Sequence, residues 1–160
     1  MALADELLEL AQRLVDLDGD EPREATARRA ISTAYYALFH LLVAEGTLNW
    51  NRPEFRPSLG RMFEHGQMRS ASAKIISHLN RKGNATSEIE PKLRQIATVF
   101  IDAQRRRNEA DYLTSSGFTR SNVQEQIDAV AWVFVTWHEI RNEPAAQAYL
   151  VAMLSKRSTP

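Results

Sequence analysis

Arg28-Arg29-Ala30-Ile31-Ser32-Thr33-Ala34-Tyr35-Tyr36-Ala37-Leu38-Phe39-His40-Leu41-Leu42-Val43 is the stretch around which the chain is organised. Ala27, Ala30, Ile31, Ala34, Leu38, Leu41 and Leu42 recur at helical spacing, while Tyr35, Tyr36, Phe39 and Val43 carry the apolar arc most of the way round. A helix that is apolar on nearly every side is a central one. Pro22 suits its first turn, Asp20 or Glu21 precedes it, and Gly46 offers a stop.

The flanking segments read as helices packed on this one. Leu3, Leu7, Leu10, Leu14 and Leu17 repeat at three and four, with Leu8, Ala11 and Val15 widening the stripe. Asp16, Asp18 and Asp20 alternate like the start of a calcium loop, but Glu21 stands where its glycine belongs and Ala27 where its bidentate glutamate belongs, so a turn is expected there. Gly46 to Gly66 reads as one long irregular connection, with Trp50, Phe55 and Phe63 folded back as plugs; Trp50 beside Arg52 could instead stack on a base. A short helix is expected over Met68 to Asn80 with Ile75, Ile76 and Leu79 inward. Ser87 caps the next, whose Ile89, Leu93, Ile96, Ala97, Phe100 and Ile101 share a face and which closes at Arg105-Arg106-Arg107. A loop over 108–120 leads to a last long helix with Val123, Ile127, Val130, Phe134 and Trp137 on one side, and Pro144 kinks it or starts a final short helix to Leu154.

No strand-like alternation of useful length occurs. The fold class is therefore all-α, an up-and-down helical bundle of four to five long helices with one long irregular connection. The 160 residues suit one domain spanning 1–160, with a core over about 3–154 and a frayed tail at 155–160.

Composition narrows the function. The chain has no cysteine, which removes disulfides, thiolate zinc sites and cysteine nucleophiles. Acids at Asp5 and Glu6 stand where a signal peptide needs bases, and no apolar run reaches the roughly 20 residues of a membrane helix, so a soluble cytoplasmic protein without membrane contact is expected. There is no GxGxxG, P-loop or HExxH, and no two of His40, His65, His78 and His138 lie three or four residues apart, so neither cofactor nor metal is expected. His40 and His138 read as core residues. Net charge is zero, yet Asn51–Arg107 holds twelve bases against five acids, and the first 24 residues hold eight acids against two bases. A solvated face balanced by the acidic N-terminus explains that split more simply than nucleic-acid binding does.

Two segments together carry a family resemblance. RRAISTAYYALFHLL, followed about 65 residues later by Arg107-Asn108-Glu109-Ala110-Asp111-Tyr112, resembles the HEPN (higher eukaryotes and prokaryotes nucleotide-binding) superfamily over roughly residues 5–142. The resemblance implies a small helical bundle, often a homodimer, that acts as a metal-independent ribonuclease, as the toxin partner of a nucleotidyltransferase antitoxin, or as a non-catalytic nucleotide- or RNA-binding module. Catalytic versions place four to six residues between an arginine and a following histidine, which is five to seven positions on. Here Tyr112, Leu113 and Thr114 occupy the places after Arg107, and none of the four histidines has an arginine at that distance before it. The ending Arg-x-x-Ala-Asp-Tyr lacks the proton-transfer histidine.

Arg107, Asp111 and Tyr112 thus have competing readings. In the structural one, Asp111 pairs with Arg107 or a neighbouring arginine and Tyr112 tucks its ring under the last helix. In the functional one, Arg28, Arg29, Arg106, Arg107 and Tyr112 bind a nucleotide or RNA, with Arg107 on phosphate and Tyr112 as a stacking face or weak acid. Arg28 and Arg29 could equally pair with Glu24 or Glu21. The function expected is a HEPN-like, non-catalytic module binding nucleotide, RNA or a nucleotidyltransferase; the alternative is a ribonuclease toxin using Arg107 with Tyr112 or Asp111 as catalytic residues.

Overall fold

A computed structural model describes residues 2–115 and 117–154, so the tail expected to fray at 155–160 lies outside the described residues. Every regular element among them is helical: α1 (Leu3–Leu17), α2 (Glu24–Leu48), a 3-10 turn (Pro53–Phe55), α3 (Arg56–Gly60), α4 (His65–Lys82), α5 (Ile89–Tyr112), α6 (Arg120–Ile140) and α7 (Pro144–Leu154). The chain is all-α. None of the described helices is long and apolar enough to cross a membrane.

The chain forms two compact units, one of Met1–Leu41 with Asp102–Val135 and one of Leu42–Ile101 with Thr136–Pro160. In the first, every residue of α2 from Ala30 to Leu38 is buried except the half-buried Tyr36, as expected of a helix apolar on nearly every side. Ala4, Ala11 and Val15 are the buried residues of α1. Arg120, at the start of α6, closes the end of α1: its guanidinium donates to the carbonyls of Val15 at 2.7 Å and Gly19 at 3.0 Å and pairs with Asp16 at 2.7 Å. That satisfies carbonyls a helix C-terminus otherwise leaves orphaned and sets a cation against its negative end. Gln12 and Gln124 exchange reciprocal side-chain hydrogen bonds at 3.0 and 2.8 Å. The broad leucine stripe expected to face inward on α1 does not do so, because Leu3, Leu10 and Leu17 are exposed and the small residues beside them pack instead.

The second unit is built on α4 and α7, with Met68, Ala71, Tyr149, Leu150 and Met153 buried. The hydroxyls of Ser72 and Tyr149 meet inside it at 2.6 Å, and Arg141 holds Glu45 through two hydrogen bonds of 3.1 and 2.6 Å. Ile75, Ile76 and Leu79 are only half-buried, since Met68, Ala71 and Ser72 form the inner face of α4. Pro144 opens α7, a position where its missing N–H costs no hydrogen bond.

The expectations for the segment after Val43 change here. Gly46 does not stop α2, which runs to Leu48. Its φ is not positive, and its role is close approach: a Cβ there would lie 2.5 Å from Cζ of the buried Phe63. Gly46→Ala is expected to cost about 1–3 kcal/mol by forcing that ring aside; equal urea midpoints for variant and wild type would refute it. The connection beyond is correspondingly shorter and partly helical, because Pro53 and Pro57 fix φ near helical values and start the 3-10 turn and α3. Phe63 alone plugs the core, whereas Trp50 and Phe55 are exposed.

Candidate functional site

A further change, at the end of α5, creates the site. Nothing in Asn108-Glu109-Ala110-Asp111 breaks a helix, so α5 passes the three arginines and ends at Tyr112, where a loop was expected from 108. Arg105 braces Glu109 one turn on at 2.8 Å, and Arg28 of α2 donates to the terminal carbonyls of Glu109 at 3.2 Å and Ala110 at 2.8 Å. Helical spacing then puts Arg107 and Asp111 on one face of α5. On α2 the same rule aligns Arg29, Ser32 and Tyr36, with Tyr35 adjacent.

Arg107 is 8% exposed. Its guanidinium carbon lies 5.1 Å from the centre of the Tyr35 ring and 5.6 Å from that of Tyr36, within cation–π range of both. Nη1 stands 3.9 Å from a carboxylate oxygen of Asp111, and Nε is buried without a hydrogen-bond partner among the described residues. Asp111 is itself shared, since the Ser32 hydroxyl donates to its other oxygen. A buried guanidinium with one loosely held, shared carboxylate is under-compensated. An incoming anion would supply what is missing.

Tyr35 is fully buried. Burial pushes its phenol from 10.0 up to about 12, against the opposing pull of Arg107 and Gln104, both of which hydrogen-bond to it. Near neutral pH it is a protonated hydroxyl and cannot serve as a base. Because the folded value lies above the ordinary one, the stability Tyr35 contributes is complete below pH 10.0 and is lost as pH rises toward about 12. Tyr149, raised by burial in the other unit, acts in the same direction. Tyr35→Phe is therefore expected to shallow the alkaline fall in urea-unfolding free energy by up to about 1.4 kcal/mol per pH unit above pH 10, the slope of one proton. Identical slopes for variant and wild type would refute this. Half-buried His40 packs edge-on against Phe39 at 5.3 Å, and burial lowers its pKa, favouring the neutral ring.

The other candidates divide. Arg28, which also pairs with Glu24 at 2.7 Å and lies 5.7 Å from the centre of the Phe118 ring, is a helix-end clamp. Arg106 donates to the Asn122 carbonyl at 3.0 Å and approaches Glu125 at 3.4 Å, which ties α5 to the first turn of α6. Arg29 is exposed, on the same face of α2 as Ser32 and Tyr36. Tyr112 is 72% exposed, so its ring is not tucked under α6; it stands at the end of α5 just past Asp111. His138 is likewise exposed and not a core residue. Tyr35, Tyr36, Ser32 and Gln104 complete the site and were not singled out as such in the sequence. Among the described residues no group of three or more His, Asp or Glu side chains could hold a metal ion.

The arrangement can orient an anion against the buried Arg107 guanidinium beside Tyr35 and Tyr36, while the exposed Arg29 lies on the α2 face that carries Ser32. It holds no imidazole at the position where the ribonuclease motif would put one. No family model matches this chain, and neither does any curated protein or solved structure.

Proposed function

We propose that this chain is a HEPN-like module, an up-and-down bundle of four to five long helices, that binds RNA or a nucleotide through its phosphate without cutting it. The supporting observation is Arg107: buried, flanked by Tyr35 and Tyr36, and paired among the described residues with a carboxylate 3.9 Å away that also holds Ser32. A guanidinium held this way meets a phosphate with charge and directed donors together. Arg29 adds a second, exposed cation and Tyr112 a stacking surface. Arg28 and Arg106 position the helix ends around them.

The module acts as a homodimer in this reading, and a nucleotidyltransferase antitoxin is the protein partner the family resemblance suggests. The competing ribonuclease reading needs Tyr112 or Asp111 to move the proton that histidine would move. Incubating purified protein with total cellular RNA and a chelator separates the two. Intact RNA is expected; cleavage by wild type that Arg107→Ala abolishes would hand the chain to the toxin reading.

A further inference from the structure

Leu3, Leu10 and Leu17 of α1 are exposed to 55%, 46% and 67%, far more than one chance apolar residue. They stand seven residues apart, and the half-buried Leu7 and Leu14 fill the intervals, so the five leucines follow the alternating three-and-four spacing of a coiled-coil seam. The unit's own core takes the neighbouring flank of the helix, Ala4, Ala11 and Val15, and leaves this seam largely uncovered. A seam at that spacing fits another helix carrying the same spacing.

Charge selects the arrangement. Glu6 and Arg13 border the seam on the side opposite Ala4 and Ala11, whereas Asp5, Glu9 and Asp16 fall at positions turned away from it. If two copies of α1 run antiparallel with Leu7 over Leu10 of the partner copy and Leu3 over its Leu14, each Glu6 meets an Arg13 of the other copy. Sliding the pair by one heptad keeps leucine over leucine but sets Arg13 against Arg13. Arg13 already pairs with Glu9 in its own helix, but both side chains are well exposed, and such a pair gives way readily to a better placed one.

We infer that α1 is the contact between two copies of this chain, packed antiparallel through its leucine stripe with reciprocal Glu6–Arg13 pairs. This rests on the homodimer of the proposed function but not on its phosphate site, so the two can fail separately. A helix of 15 residues is about 22 Å long, and four leucine layers lie at the small end of specific interfaces, so a micromolar dimer is expected.

Sedimentation equilibrium of the full chain tests it. Leu10→Glu should raise the dimer dissociation constant at least about tenfold with an unchanged thermal midpoint, since the side chain it replaces is half in water; Leu10→Ser serves if the glutamate unfolds the chain. Glu6→Arg and Arg13→Glu should each weaken the dimer several-fold, and the double swap should restore it. A wild type that stays monomeric up to high micromolar concentration overturns the inference. So does a dimer indifferent to Leu10, which would keep the homodimer and move it to another surface. Single variants that weaken without rescue by the swap would overturn the antiparallel register.

Discussion

Arg107→Lys is expected to weaken binding of a short single-stranded oligoribonucleotide at least about tenfold while the helix content and thermal midpoint stay close to wild type. Lysine keeps a cation over Tyr35 and within reach of Asp111, so the buried charge balance survives. What it loses is the planar fork, whose donors can serve Tyr35 and a phosphate together. Arg107→Ala makes a poorer probe, because it strands the Asp111 carboxylate and empties the space against both tyrosine rings, at roughly 2–4 kcal/mol. Fluorescence anisotropy on both variants, beside their unfolding curves, divides binding from folding. A lysine variant that binds as wild type does would remove Arg107 from the phosphate.

Trp137→Ala is expected to destabilise the second unit by about 3–5 kcal/mol, a large share of the roughly 5–15 kcal/mol of a typical domain. Trp137 is fully buried, with its ring centre 6.4 Å from that of Tyr149. Its indole N–H, however, is buried without a partner among the described residues. A stranded donor costs stability, so Trp137→Phe, which removes the donor and keeps most of the ring, should lose far less than the alanine variant. Urea unfolding checks the pair. Equal losses for Phe and Ala would mean that the six-membered ring contributes little and the indole nitrogen is held after all.

The helices were legible because burial here follows periodicity. Leu93, Ile96, Ala97 and Phe100 on α5, and Val123, Ile127, Val130 and Trp137 on α6, are buried as their spacing requires. Where apolar residues outnumber what a face can bury, spacing no longer decides which side turns in. Packing against neighbours chose Ala4, Ala11 and Val15 over the larger leucines of α1, and that choice depends on residues far away in the chain. Gly46 misled for a related reason: glycine ends helices and also admits close approach, and only the position of Phe63 tells which applies.

The site was half legible. Arg107 and Asp111 stood out through their motif, but treating the residues after Arg107 as a loop hid the helical register that joins them. Tyr35 and Tyr36 read only as core, although aromatic rings one helix away are what a buried guanidinium needs. Their pairing with Arg107 spans about 70 residues of sequence, beyond the reach of local spacing.

The most direct measurement is the salt dependence of oligoribonucleotide binding by the wild-type protein. With Arg29 and Arg107 each on a phosphate, the logarithm of the binding constant should fall linearly with the logarithm of salt concentration, with a slope of about −1.4 for two contacts on a single strand. Arg29→Ala should reduce that slope by about half. Binding that ignores salt, or no binding at low salt, would contradict a phosphate site built on these arginines.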